Sequence, residues 1–402
     1  MAAQKATHQL TKQHNRDLVL RTIFEHESIS RAEIARQTQL TRATVSDLVA
    51  ELIEAGLVEE VGYGSSSGGK NPILLVLKAN SRYLIGCNLA QDRFIGSVVN
   101  LRGQIMETVE IPFTGTDGQQ ALAHVYEILD QLTTKTWQPI VGIGVGTPGL
   151  VNTRAGVVVD AVNLNWQDVP LARLLTDRYH LPVTVLNDSQ ATAIGEFVYS
   201  GNYRSDENAI VINIKHGIGA GILINGRLFQ GDGGGAGEIG HILVEEDGPA
   251  CRCGRKGCLE TIANTRAIIQ RTEALLPEYP ASILSGHTSE IGLNDIEKAY
   301  HQQDALAVRV ISDAAAAMGK SIASLVGTLN IRKIVFTGYM NKFGQRWLDQ
   351  IQQSMQASSL TRLAADTRLE MGDLGFKACV LGSSAYMLLD DYSLLFTPGG
   401  RS

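Results

Sequence analysis

The sequence predicts a chain in two parts: a small head of three helices and a hairpin, then a larger layered α/β body. Three observations predict it. Residues 15–77 show three short amphipathic periods followed by two apolar runs around a loop. From about Tyr83 onward, strand-like runs alternate with helical periods, the pattern of packed strand and helix layers. At 402 residues the chain exceeds one core, since a domain takes roughly 100–200 residues.

Within Asn15–His26, the residues Leu18, Val19, Ile23 and Phe24 recur at helical spacing. Ser30-Arg31-Ala32-Glu33 has the form of a capping box, in which a hydroxyl and a carboxylate satisfy the free N–H groups of a helix start. The helix it opens turns Ile34 and Ala35 inward and ends near Gln39-Leu40. Thr41 is an N-cap for a third helix with Val45, Leu48, Val49 and Leu52 on one face, and Gly56 ends it. Leu57–Val61 and Ile73–Leu77 read as strands around the loop Gly62–Pro72. Helix, turn, helix and hairpin in this order is a winged helix-turn-helix, expected over residues 1–80. In it the exposed start of the third helix would read DNA through Arg42, Ala43, Thr44, Ser46 and Asp47. Arg42 can pair with guanine, and the short hydroxyls reach bases or phosphates. A protein-binding role is the alternative for such a head taken alone. The polar stretch 1–14 reads as an unstructured tail whose Lys5 and Lys12 solubilise.

In the body, strands are expected at Tyr83–Leu89, Arg93–Asn100, Ile105–Ile111, Ile140–Gly146, Val183–Asn187, Ala209–Ile214, Gly221–Ile224 and Lys333–Phe336. Helices are expected at Gln119–Thr133, Val169–Arg178, Gln190–Tyr199, Thr265–Leu275, Asp304–Leu329 and Arg346–Ser358. Residues 83–100 and 209–225 both read as strand, turn, strand, which predicts two similar lobes, 81–190 and 191–402, with a cleft between them. Glycine clusters at 142–149 and 217–240 are expected to be turns where backbone approaches something closely.

Composition narrows the class. With 44% hydrophobic and 19% charged residues the chain can bury a core, which excludes wholesale disorder. No apolar run reaches the eighteen or so residues of a membrane span, and the first sixteen residues lack the apolar segment of a secretory leader, so a cytoplasmic protein with no membrane partner is expected. The net charge of −6 excludes bulk affinity for nucleic acid, but the head is balanced, with nine Lys/Arg and nine Asp/Glu in residues 1–80. Five cysteines is an odd number, which favours a reducing compartment and a metal site over a disulfide framework.

Three of those cysteines form the pattern His241-x9-Cys251-x-Cys253-x4-Cys258. Cys3His is a closed tetrahedral set for structural Zn2+, and Gly254 and Gly257 allow the turns that gather the sulfurs. Four protein ligands leave no open position for hydrolysis; three buried thiols without metal are the alternative. Cys87 and Cys379 read as small core residues.

At this stretch, Gly237-Glu238-Ile239-Gly240-His241 and Cys251–Glu260 closely resemble the signature of the ROK family of sugar kinases and repressors. Gly146-Thr147-Pro148-Gly149, Asn163-Leu164-Asn165-Trp166 and Asn187-Asp188 match in order. The leading winged helix resembles that of the family's repressor branch, the xylose-responsive members among them. The resemblance implies the actin-like sugar-kinase (ribonuclease H-like) fold, two α/β lobes around a sugar cleft. It implies that Asn163, Asn187, Asp188, Glu238, His241 and Glu260 line the sugar site, where carboxylates and amides pair with hydroxyls. His241 would bind zinc through one ring nitrogen and sugar through the other. In the kinases the aspartate matching Asp188 is the general base; by itself, Asn187-Asp188 also reads as an N-cap ahead of the helix at Gln190. Ser65–Lys70 resembles the family's wing, with Lys70 as its basic DNA contact.

The nucleotide side departs from the kinases. Their first phosphate loop, Asp-x-Gly-Gly-Thr, is here Asn88-Leu89-Ala90-Gln91-Asp92, which puts side chains and a negative charge where phosphate would lie. The second, Gly-Thr-Gly, is Lys215-His216-Gly217, and the paired glycines near Thr337-Gly338 are broken. Lys215 can meet a phosphate or stand as a solvated surface lysine. The expectation is a repressor of carbohydrate-metabolism genes with operator DNA and a sugar effector as partners, a homodimer or homotetramer, and not an enzyme. The alternatives are an ATP-dependent sugar kinase carrying a DNA-binding head, and a sugar-binding adaptor whose head meets proteins.

Overall fold

A computed structural model describes residues 8–65, 71–133, 136–200, 207–286, 290–390 and 392–396. The head runs α1 (His8–Phe24), β1 (Ile29–Ser30), α2 (Arg31–Thr38), α3 (Arg42–Glu54), β2 (Val58–Tyr63) and β3 (Ile73–Leu77), with the strands in the order β1-β3-β2. Thr41 caps α3 by accepting the Thr44 N–H at 3.1 Å, and Gly56 turns the chain out of it at φ +70°. Ser30 caps α2 by accepting the Glu33 N–H at 3.2 Å, but the reciprocal half of the expected box is missing. Glu33 instead accepts from Arg36 at 2.6 Å and Gln37 at 2.8 Å, because a charge-assisted bond outweighs one to a neutral amide. The expected tail also needs correction: α1 begins at His8, and Lys12 pairs with Glu51 of α3. Lys5, and Lys70 with residues 66–69 of the wing loop, lie outside the described residues.

The body opens with β4 (Tyr83–Leu89), β5 (Arg93–Asn100), β6 (Ile105–Pro112), α4 (Gly118–Leu132) and β7 (Ile140–Thr147). It continues through β8 (Leu150–Asn152), β9 (Val157–Ala161), β10 (Trp166–Val169), α5 (Leu171–Tyr179), β11 (Val183–Asn187) and α6 (Asp188–Tyr199). A second series follows: β12 (Ala209–Ile214), β13 (Ile218–Ile224), β14 (Arg227–Phe229), α7 (Glu260–Ala263), α8 (Thr265–Leu275), α9 (Leu293–His301) and α10 (Ala305–Leu329). The chain ends with β15 (Lys333–Gly338), α11 (Gly344–Ser358), α12 (Thr361–Asp366), β16 (Arg368–Met371) and α13 (Lys377–Asp390).

The two large sheets repeat one topology, β11-β7-β4-β5-β6 and β16-β15-β12-β13-β14. In each, an antiparallel meander is flanked by two strands that join in parallel. The expectation of two similar lobes thus has its structural counterpart. The small sheet β8–β10 and helix α13 escape periodicity. Nearly every side chain of α13 is buried, including Ala378, Cys379, Val380 and Leu381 in consecutive positions, so no single apolar face stands out.

Glycine explains how tightly these layers meet. Gly142, Gly144 and Gly146 lie in strand β7, where a strand was expected over Ile140–Gly146, so these glycines of the 142–149 cluster serve close packing and not a turn. A Cβ on Gly144 would sit 1.9 Å from the Ser383 carbonyl oxygen of α13, and one on Gly86 of β4 would sit 2.0 Å from that of Val380. So α13 lies directly on the first sheet, although 191–402 was expected to form the second lobe as a block. It also packs along α6, where a Cβ on Gly195 would meet the Ala378 carbonyl oxygen at 2.0 Å.

The end of α13 and residues 392–396 then reach the head. Met387, Leu388, Tyr392 and Leu395 share one buried cluster with Val19, Ile23, Val49 and Leu52. Two body arginines grip the carbonyl ends of head helices. Arg102 donates to the oxygens of Phe24, the last residue of α1, and of His26 beyond it, and Arg82 donates to Ala55 after α3 and to Leu395, each at 3.1 Å. Cations there offset unpaired carbonyls and the negative pole of the helix. No helix among the described residues is long and apolar enough to cross a membrane.

Candidate functional site

Between the lobes lies a cavity of about 550 Å3, and Asn163, Asn187, Asp188, Glu238, His241 and Glu260 all line it. Each is placed by the end of an element. Asn163 sits in a single 3-10 turn between β9 and β10, Asn187 and Asp188 join β11 to α6, and Glu260 opens α7. Glu238 and His241 flank a turn that rides on β13, where a Cβ on Gly237 would meet the Ala220 carbonyl oxygen at 1.9 Å and one on Gly240 that of Ile218 at 2.4 Å. Glycine is required here so that Glu238 and His241 can be carried on a backbone lying flat on the sheet.

Asn187 does structural work in this cleft. Its Oδ1 accepts the N–H groups of Ser189 and Gln190, capping α6, and its Nδ2 donates to the Gly149 oxygen at 2.9 Å. The N-cap reading was therefore right for Asn187, with the helix starting at Asp188 instead of Gln190. Asp188 lines the cavity with its carboxylate. Burial pushes its carboxyl up, while Lys215 and the Ser189 N–H pull it down. Burial also raises Glu238, with Asp188 and Glu260 adding repulsion and His241 opposing. The result is a concentration of acceptors that favours a ligand rich in O–H donors.

Three further residues belong to the site and were not anticipated. Arg252 reaches across to donate to Asn163 Oδ1 at 3.2 Å, linking the lobes at the cavity rim. Asn213 and Tyr339 line the cavity from the ends of β12 and β15. The signal for these two was their position just past or at a strand end, where α/β folds place ligand groups; for Arg252 it was its place between two metal-ligand cysteines.

The sulfur cluster lies alongside. One ligand atom from each of His241, Cys251, Cys253 and Cys258 lies within 4.8 Å of all the others. His241 Nδ1 is 3.6 Å from Cys251 Sγ, and Cys253 Sγ is 3.6 Å from Cys258 Sγ. Ligands of a tetrahedral zinc stand about 3.3–3.8 Å apart, so these residues can hold a metal ion. The loop is folded for it: Gly254 and Gly257 adopt φ +87° and +66°, and a Cβ on Gly257 would meet the Glu245 carbonyl oxygen at 1.6 Å. The Arg255 backbone N–H and guanidinium hold the exposed Cys253 thiol down to about 6, whereas burial pushes Cys251 up to about 12. Glu260 Oε1 lies 3.2 Å from Cys251 Sγ and 3.8 Å from His241 Nδ1, so the cluster abuts the cleft.

In the head, Arg42, Ala43, Ser46 and Asp47 are exposed at the start of α3 and Thr44 is partly so. Thr44 is tied locally, its hydroxyl 2.9 Å from that of Thr41, which leaves Arg42 and Ser46 as the reaching side chains. Arg42→Ala is expected to cost about 1–3 kcal/mol of operator binding, as for a base contact. Unchanged affinity in a salt-controlled gel shift would move base reading away from α3.

The fold and this cavity define a two-lobed sugar-kinase-type body fused to a DNA-binding-type head. A ROK family model matches residues 84–389, and a MarR family model matches residues 18–62. The chain is 32% identical over 389 residues to the xylose repressor of Caldicellulosiruptor bescii, covering 95% of this chain and 97% of that one. It is 31% identical over 388 residues to the N-acetylglucosamine repressor of Escherichia coli O6:H1, covering 94% and 93%. A crystal structure of a ROK family transcriptional regulator, a homologue of the E. coli MLC protein, superposes with TM-score 0.83 at 28% identity, covering 96% of this chain and 98% of that one. A ROK family glucokinase from Streptomyces griseus in complex with glucose and AMPPNP matches with TM-score 0.65 at 28% identity, covering 75% of this chain and 98% of its own. The chain belongs to the ROK family.

Proposed function

We propose that this protein is a sugar-responsive transcriptional repressor of carbohydrate-metabolism genes, acting in the cytoplasm without kinase activity. The observation that carries the reading is the physical linkage between cleft and head. Asp188 opens α6; α6 packs along α13; the end of α13 and residues 392–396 lie in the core of the head. A sugar that draws the lobes together moves α6 and α13, and with them the helix that presents Arg42. Such a ligand acts through its differential affinity for the open and closed states.

Three features argue against phosphoryl transfer. Asn88 is a buried amide where the kinases have an acid, Gln91 puts a side chain on the cavity where they have a glycine, and Tyr339 follows Gly338 on its lining. Positioning supplies most phosphoryl-transfer catalysis, and these groups provide no cradle for it. The test is a labelled-operator complex titrated with xylose, glucose and N-acetylglucosamine beside an ATP-turnover assay. Release or tightening of DNA with no ADP formed is the expected result. Turnover of ATP with any of the three sugars would restore the kinase reading. Two winged heads match two half-sites of a palindrome, so a homodimer or homotetramer is the expected form on DNA.

Zinc is the metal we assign to His241, Cys251, Cys253 and Cys258. When bound it supplies local folding energy. His241, with Nδ1 turned to the sulfurs, then presents its other nitrogen to a sugar hydroxyl in a fixed direction. One zinc per chain is expected by elemental analysis. Cys258→Ser is expected to lose it and to weaken sugar response about ten- to a hundredfold, while DNA binding persists. A metal-free wild-type protein with full sugar response would remove the assignment.

A further inference from the structure

Helix α6 spans the distance between the cleft and the head. It begins with Asp188 at the cavity and ends with Tyr199, and its 12 residues at about 1.5 Å each make a rod of about 18 Å. It lies on the second sheet, where a Cβ on Gly221 of β13 would meet the Ala193 Cβ at 2.2 Å. Ala193, Phe197 and Val198 of α6 form a buried cluster with Ala209, Val211 and Leu223 of that sheet. Phe24, the last residue of α1, packs against this cluster. The end of α1 is thus bedded on the second lobe.

The same end is held by the first lobe, from the turn between β5 and β6. Asn100, fully buried, accepts the N–H groups of Arg102 and Gln104, each at 3.0 Å, and donates to Asn80 Oδ1 at 2.7 Å, which stiffens the turn. Arg102 projects from it and donates to the carbonyl oxygens of Phe24 and His26, with its guanidinium 5.6 Å from the centre of the Phe24 ring. A guanidinium offers several N–H groups in one rigid plane, so it fixes two carbonyls at once. Gly103, at φ +76°, lies against the Tyr199 ring, which a Cβ there would meet at 2.5 Å. Adjacent residues of one turn therefore touch the last residue of α6 and the last residue of α1. His26 carries the connection onward: its Nδ1 is 2.8 Å from the Thr22 oxygen, and its Nε2 is 3.3 Å from Gln37 Nε2 on α2, the helix ahead of α3.

We propose that the end of α1 is the joint at which the head reads cleft closure, with Arg102 as its positioning residue. This deepens the repressor reading and rests on it. Phe24 follows the second lobe through its packing, while the Phe24 and His26 carbonyls follow the first lobe through Arg102. When a sugar draws the lobes together, the two attachments shift relative to each other, and α1 turns to keep both. Packed interfaces do not deform continuously, so the helix takes up the shift as a discrete change of position. The joint is distinct from the tie made by α13 and residues 392–396, to which Arg82 belongs by joining the end of α3 to Leu395.

The test is the affinity of full-length protein for labelled operator, read by fluorescence anisotropy without sugar and with saturating xylose, glucose or N-acetylglucosamine. The ratio of the two affinities is the coupling factor. With at least one of these sugars it is expected to be about fivefold or more in the wild type and below about twofold in Arg102→Ala. Arg102→Lys, which keeps the charge and loses the fork, should fall between them. Phe24→Leu, a mild change at a partly buried position, should also lower the factor. Sugar binding by the DNA-free variants, read by calorimetry, should stay within about twofold of wild type, because the joint is remote from the cleft. Arg82→Ala should retain the wild-type factor. If Arg102→Ala does not fold, Arg102→Lys and Phe24→Leu decide by the same criterion. A wild-type factor in the Arg102 and Phe24 variants overturns the joint and leaves the repressor reading standing. A loss in Arg82→Ala as large as in Arg102→Ala overturns it in favour of a head that is merely loosened. Operator affinity unmoved by all three sugars in the wild type overturns the repressor reading and this inference together.

Discussion

Gly382→Ala is expected to cost about 3 kcal/mol or more, a large share of the roughly 5–15 kcal/mol that holds a folded protein together. The added methyl would lie 1.7 Å from the Ala191 carbonyl oxygen and 2.5 Å from the Gly195 nitrogen. Both belong to the backbone of α6, so no side-chain rotation can relieve the contact. Either α13 moves off α6, or the hydrogen bonds of α6 break. The comparison variant is Gly327→Ala, near the end of α10, where an added Cβ meets nothing within 4 Å. There, alanine should stabilise by about 0.5–1 kcal/mol, because it restricts the unfolded chain and suits a helix. Urea unfolding of the two variants therefore separates loss of contact distance from loss of glycine as such. If Gly382→Ala unfolds at the wild-type midpoint, the close α6–α13 contact is wrong, and so is the route from cleft to head. If it folds at reduced stability, its sugar response should fall further than its DNA affinity, since the strained pair lies on the α6–α13 route and not on the exposed start of α3.

What the sequence disclosed depended on whether an element has one exposed face. The helix carrying Val45, Leu48, Val49 and Leu52 packs one side and shows the other to solvent, and its cap and end were legible to the residue. The two strand-turn-strand segments declared the duplicated sheets for another reason: β4 and β12 are buried throughout and stand out as short continuous apolar runs bounded by turns. Helix α13 is enclosed by two strands, α6 and the head, so its pattern is apolar on every side, and its return to the first sheet was hidden. Gly144 and Gly146 were visible but ambiguous: glycine for a turn and glycine for close packing look alike until the partner backbone is known. The metal cluster was legible because its spacing carries chemistry, and the acidic cleft through the resemblance of its motifs to the ROK signature. Arg252, Asn213 and Tyr339 were not, because each reaches the cavity only through the folding of a different segment. Glu33 failed its expected role because a stronger partner, Arg36, stood one turn away.

Asp188→Asn and Glu238→Gln are expected to keep operator binding and lose most of the sugar response. A hydrogen bond to a charged acceptor contributes about 1.5–3 kcal/mol, so the effective sugar concentration should rise roughly ten- to a hundredfold. The same substitutions should stabilise the sugar-free chain at neutral pH, which a merely structural role would not produce. Burial raises both carboxyls, so the folded protein retains their protons to higher pH than the unfolded chain does. Between the ordinary carboxylate value and the raised one, the folded state binds more protons. Stability therefore falls as pH rises through that window and stays reduced once both groups are ionised. An amide removes the charge and with it the slope. Lys215 offsets part of the cost at Asp188, and His241 offsets part of it at Glu238, where Asp188 and Glu260 add repulsion. Thermal unfolding from pH 4 to 8, without ligand, reads this directly, and a sugar titration of the operator complex reads the response. Variants that are destabilised at neutral pH and respond to sugar at the wild-type concentration would show that these carboxylates hold the fold together and do not receive the effector. The expected pattern is the reverse, a cleft that gives up stability when empty so that a ring of hydroxyls can restore it on binding.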